Sequence, residues 1–112
     1  MNTLDTISLS AVGDEQIAAA STARAGRAAH TVYGGRDHAL RQTILALAAG
    51  HGLDDHESPG EATLLVLRGR IRLGTAMAKV EGAAGDFLVI PGERHNVEAL
   101  EDSVLLLTVV AR

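Results

Sequence analysis

No cysteine occurs among the 112 residues, so neither a disulfide framework nor a thiolate metal site is available. Metal chemistry here would have to use histidine and carboxylate. Tryptophan is absent too, and Tyr33 and Phe87 are the only phenyl-bearing residues. A pocket in this chain therefore lacks the aromatic walls that stack sugars or bases. Positive charge is confined to nine arginines and Lys79 with no basic arm, and at a formal net charge of −4 nothing recruits nucleic acid. No apolar run approaches the roughly 20 residues that a membrane helix needs. The opening stretch, MNTLDTISLSAVGDEQ, has acidic residues where a signal peptide would be positive, so a cytoplasmic protein without a membrane partner is expected. No phosphate-loop or dinucleotide-loop pattern follows a strand, and no nucleotide cofactor is implied.

What is present is an ordinary globular composition, 46% apolar and 21% charged, in a chain long enough for one modest core. The segment GDEQIAAASTARAGRAA offers Asp14 as an N-cap, then good helix formers, then arginines, which predicts a short helix around residues 14–25. Its apolar side is mostly alanine, so it must lie on something already folded, as a lid or arm. Residues 1–26 are read as that arm and 27–112 as the main domain.

From residue 27 the texture changes to short runs rich in Val, Ile, Leu and Thr between Gly, Asp and Pro clusters. Strands are expected at 28–33, 39–49, 62–68, 70–76, 79–82, 87–90, 95–100 and 104–111, an all-β sandwich or barrel. The connectors GGRD at 34–37 and AAGD at 83–86 read as hairpin turns, and PGER at 91–94 stops a strand. Three runs, TILALAA, TLLVL and VLLLTVV, are apolar at both parities, whereas a strand with one wet face alternates. Their second face needs a cover, either the arm or another subunit, and a homodimer built across a sheet is expected.

Two stretches carry a family resemblance. In the first, Gly50 is followed after five residues by His56, and Gly69 closes the segment; in the second, Gly85 leads to Pro91, Gly92 and His95. Together these are similar to the two motifs of the cupin superfamily, in particular to small single-domain bacterial cupins, over roughly residues 28–110. The resemblance implies a small jelly-roll β-barrel behind the N-terminal arm, with a ligand pocket inside the barrel, and for most such proteins no defined reaction. Where the first motif usually has its second histidine and its glutamate, this chain has Ser58 and Ala62. The usual ligand set is incomplete.

Two functional readings follow. In the first, His56, Ser58, His95 and Gln42 line a pocket for a small anionic or polar metabolite, without catalysis. In the second, His56 and His95 hold a divalent metal (Fe, Mn, Ni or Zn) for an oxygenase, isomerase or lyase, completed by Glu61 if a bulge at Pro59–Gly60 turns that carboxylate inward. His51 and His38 are weaker candidates, and no catalytic residue is assigned. Arg68, Arg70 and Arg72 alternate, which reads as a solvated stripe or as partners for carboxylates across a dimer.

Overall fold

The computed structural model describes residues 5–58 and 60–110. One helix, α1 (Leu9–Thr22), precedes nine strands: β1 (Arg27–Tyr33), β2 (Leu40–Leu47), β3 (Gly52–His56), β4 (Glu61–Arg68), β5 (Arg70–Gly74), β6 (Lys79–Ala83), β7 (Phe87–Val89), β8 (His95–Ala99) and β9 (Ser103–Val110). They form two antiparallel sheets, one ordered β1-β2-β9-β4-β7 and the other β3-β8-β5-β6. The inner faces enclose one apolar core, with Leu47, Val66, Ile71 and Leu105 fully buried. This is the small jelly-roll expected, with one strand more.

The additional strand is β3, whose sequence GLDDH has little intrinsic strand preference and is held by pairing with β8. The helix starts earlier than expected. Ser8, not Asp14, is its N-cap, accepting a hydrogen bond from Ala11 N at 3.1 Å. Asp14 lies within the helix and pairs with Arg68 across 2.6 Å. Arg68 also donates to Ser10 O at 2.8 Å, so one guanidinium ties α1 to the end of β4.

The GGRD turn does join the paired strands β1 and β2. The AAGD turn does not make a hairpin, because β6 and β7 belong to different sheets. Its residues bond instead to β4, with Gly85 N donating to Val66 O at 2.8 Å, so the chain crosses from one sheet to the other there. The arginine stripe is likewise divided by Gly69, which adopts a left-handed φ of 83°. Arg68 ends β4, whereas Arg70 and Arg72 lie on β5 and pair within the same chain with Glu81, Glu98 and Glu101.

The doubly apolar strands receive a partial cover. Helix α1 packs on β1, β2 and β9, where outward-facing Ile44, Ala46 and Val104 are buried. Gly13 lets it lie close, since a Cβ there would stand 3.1 Å from Val104 Cγ1. The arm is thus a lid on the outside of the sheet, not over the barrel mouth. The rest of that outer face is bare, with Phe87 and Val89 on β7 at 63% and 69% exposure.

Candidate functional site

Strand alternation alone would turn His56 away from the barrel. Leu53 faces the core opposite Val97, so in an unbroken strand Asp55, not His56, would face inward next. The pairing shifts between Leu53 and His56: three steps along β3 match two along β8, from Val97 to His95. This bulge, at Asp54 and Asp55, resets the parity and places His56 opposite His95 on the inner face. It is held from outside. Asn96 Nδ2 donates to Asp55 Oδ1 at 2.7 Å and Arg94 Nη2 donates to Asp55 O at 3.1 Å.

The two imidazoles meet edge to face with ring centroids 4.4 Å apart. His95 is 1% exposed and His56 half-buried. Each ring bonds through Nδ1 to the carbonyl two residues before it, His56 to Asp54 O at 2.8 Å and His95 to Glu93 O at 2.9 Å. A carbonyl only accepts, so Nδ1 carries the proton in both rings and, in the neutral form, Nε2 presents a lone pair. Both rings are thus fixed in orientation and tautomer by backbone. They share a cavity of about 110 Å³ with Leu45, Leu53, Glu57, Leu64, Ile90, Val97 and Leu107.

The other expected residues lie elsewhere. Glu61 is exposed on the outer face of β4, because the pairing runs in register from Glu61 opposite Val110 to Val66 opposite Leu105, and Ala62 takes the inward position. Among the described residues of β4 no bulge reverses it before Val66, and Pro59, where one was expected, lies outside the described residues. Gln42 also faces outward, since Leu45 and Leu47 set the inward parity of β2; its amide donates to Thr108 Oγ1 at 3.2 Å. Ser58 follows the end of β3 and donates its hydroxyl to Gly60 O at 3.0 Å, away from the cavity lining. His51 packs against Gly26, and His38 stands edge-on to Tyr33 at 5.2 Å.

The residue missed in the sequence is Glu57. It lines the cavity beside His56 while its carboxylate pairs with Arg94 at 3.4 Å on the solvent side. Its position just past the end of β3 is the only signal for it, because strand parity stops applying there. Among the described residues no group of three His, Asp or Glu side chains is arranged to hold a metal ion. Two imidazoles alone are too few for a tight divalent site, so the donor set as placed does not fit the metal reading.

A wider groove of about 540 Å³ runs outside the barrel along β3 and β8, lined by His51, Asp54, Asp55, Arg94, Asn96 and Glu98. Its lining is mostly polar, with Leu53 and Val97 also contributing. The paired histidines, not this groove, occupy the inside of the barrel.

An RmlC-like cupin protein from Desulfovibrio desulfuricans superposes on this chain with a TM-score of 0.65, covering 98% of it and 93% of the other chain at 22% identity. The fold is that of the cupins. A conserved protein of unknown function from Streptococcus pyogenes is similar at 27% identity and TM-score 0.70, over 80% of this chain and 78% of its own. A salicylate 1,2-dioxygenase from Pseudaminobacter salicylatoxidans gives a TM-score of 0.73 at 16% identity over 89% of this chain, which corresponds to 33% of that one. The sequence matches no family model and no curated protein. No helix among the described residues is long and apolar enough to cross a membrane.

Proposed function

We propose that this cupin domain binds a compact polar metabolite inside the barrel, with the Nε2 atoms of His56 and His95 as its polar contacts and the aliphatic side chains as its walls. One observation carries the reading: two imidazoles, each locked by a backbone carbonyl at Nδ1, line a cavity whose other walls are aliphatic except for Glu57 beside His56. Such a pair is prepared for a ligand atom and would be an odd choice for packing alone. The cavity, about 110 Å³, has room for the equivalent of about four waters, which suits a small acid or alcohol and excludes a nucleotide.

The chemistry of the contacts limits the ligand further. Neutral rings offer two acceptors and so suit a hydroxyl or an undissociated acid; protonated rings offer two donors and so suit a carboxylate. In either case one polar head meets the histidines and a short aliphatic body meets Leu45, Leu64 and Leu107. Tyr33 and Phe87 both lie on the outside of the sheet, so an aromatic acid such as the salicylate named for the dioxygenase neighbour is not favoured here.

Thermal-shift and heteronuclear NMR titrations with a panel of small hydroxy and carboxylic acids test the proposal. A ligand at a hundred times its Kd stabilises by about 2.7 kcal/mol, a shift of many degrees for a chain of this size. The expected result is a binder whose effect disappears in His56→Ala and His95→Leu. Near-stoichiometric metal in protein purified without added metal, lost in both variants, would overturn the metal-free reading in favour of a cupin metalloenzyme.

A further inference from the structure

Among the described residues lining the barrel cavity, Glu57 is the one ionisable side chain besides the two histidines, and it is an acid. The segments that deliver the imidazoles share its sign. Residues 53–57, LDDHE, and 90–95, IPGERH, hold the carboxylates of Asp54, Asp55, Glu57 and Glu93 against a single guanidinium, Arg94. That guanidinium lies in the groove outside the barrel, where it donates to Asp55 O and pairs with Glu57 from the solvent side. Arg41 has the inward parity of β2, opposite Val109, but it is exposed at the start of that strand and does not line the cavity. In each imidazole Nδ1 is occupied by a backbone carbonyl, which leaves Nε2 of the neutral ring as an acceptor. The side-chain groups available to a ligand head are therefore acceptors only, two ring nitrogens and a carboxylate.

Resting on the reading that the barrel takes a small ligand at its histidines, we propose that this ligand is a short-chain aliphatic primary amine, bound as its ammonium ion, and that Glu57 selects it over a carboxylate. The partners match in number. An alkylammonium has three N–H donors and no acceptor, and His56 Nε2, His95 Nε2 and the Glu57 carboxylate are three acceptors. Charge decides between head groups of one size. Taking an ammonium out of water is unfavourable unless its donors and its charge are both met, and Glu57 contributes to each. A carboxylate in the same place meets a like charge and, with the rings neutral, no donor. An alcohol donates once and leaves the charge unused. The walls set the rest of the ligand, since Leu45, Leu64, Ile90 and Leu107 suit a short alkyl body. No phenyl or indole ring lines the cavity, so it lacks the cage that holds a quaternary ammonium. His56, His95 and Glu57 are not arranged to chelate a metal ion, but an ammonium makes looser demands. It takes partners at hydrogen-bond distance and reaches an exposed carboxylate through a bridging water.

Calorimetric titration of the full chain with propylamine, n-propanol and propionate tests this, at about pH 8, where free imidazole is neutral and an alkylamine charged. The three compounds share a short alkyl body and differ in the head. Propylamine is expected to bind most tightly and propionate least, and in nitrogen NMR of the imidazoles the Nε2 signals, not the Nδ1 signals, are expected to move on binding. Glu57→Gln keeps the size of the side chain and removes its charge, and because Glu57 is exposed the circular dichroism is expected to be unchanged. In this variant the preference for propylamine over propionate is expected to fall by about tenfold. A wild type that prefers propionate overturns the proposal, and so does a propylamine preference that survives Glu57→Gln. Binding of n-propanol or propionate alone, abolished by His56→Ala and His95→Leu, removes the amine and keeps the pocket. If none of the three binds, the amine is overturned, while the pocket stands or falls by the wider panel of acids.

Discussion

If His95 is retained for what it binds and not for what it stabilises, its replacement by leucine should cost almost nothing in folding. The ring is 1% exposed, donates one hydrogen bond to Glu93 O, and touches His56 edge-on. Losing the hydrogen bond costs about 1 kcal/mol, with little further penalty because Glu93 is exposed and its carbonyl can turn to water. Losing the ring contact costs about another 1 kcal/mol. Against this, a leucine of similar volume adds apolar surface to a cavity walled by Leu45, Leu64, Ile90 and Val97, a gain of about 1.5–2 kcal/mol. His95→Leu should therefore lie within about 1 kcal/mol of the wild type. His95→Ala suffers both losses, gains nothing, and adds roughly 60 Å³ of empty space at about 24 cal/mol per Å³, for a total of about 3–4 kcal/mol. Because the chain has no tryptophan, urea unfolding followed by far-UV circular dichroism is the suitable assay. The two variants should differ in midpoint by at least about 1 M urea at a slope of about 1–3 kcal/mol per M. A His95→Leu protein destabilised as much as His95→Ala would show that the imidazole is a structural element, and the argument for a ligand would lose its footing.

Three further outcomes follow from the packing. Gly13→Leu should lift α1 from the sheet, since even a Cβ meets Val104 at 3.1 Å, and cost about 1–3 kcal/mol with the loss concentrated in the helix; a variant as stable as wild type by urea unfolding would mean that α1 is not seated as described. Arg68→Ala removes the links to Asp14 and Ser10 O, and because both ion-pair partners are substantially exposed the global cost should stay near 1 kcal/mol while α1 amides exchange faster than those of the barrel strands; uniform protection in hydrogen exchange would refute it. Glu61→Gln should leave both stability, within about 0.5 kcal/mol, and ligand titrations unchanged. A loss of binding in that variant would restore Glu61 to the site.

The strand pattern was legible because the core strands are apolar and β-branched and their turns carry Gly, Pro or Asp. What escaped the reading was decided by contacts between elements. Gly13 argues against a helix in any local scale, yet it lies inside α1 because Val104 needs the space, so the helix begins at Leu9 and not near Asp14. The AAGD turn has hairpin chemistry, but Gly85 finds its acceptor on β4 and the chain changes sheet. Apolar residues at both parities correctly signalled a second covered face on β2, where α1 lies; the sequence held no mark of where along the sheet that cover ends.

Parity explains the mixed fate of the candidate site residues. The bulge that decides the site lies at Asp54 and Asp55, where it turns His56 inward, while β4 pairs in register from Glu61 and leaves that carboxylate outside. The residues that hold it, Asn96 on β8 and Arg94 just before His95, stand next to the other imidazole in the chain. Arg94 reaches both the bulge backbone and the Glu57 carboxylate, so the segment that delivers His95 also fixes the strand that delivers His56. The pair is thus set by one connected group of contacts on the outer surface, with the inner surface left free of polar groups other than the two rings and Glu57. A local slip in the bulge would withdraw His56 while leaving His95 and the core in place, which makes the acidic DD dipeptide, unremarked by any motif, the part of this sequence on which the geometry of the cavity most depends.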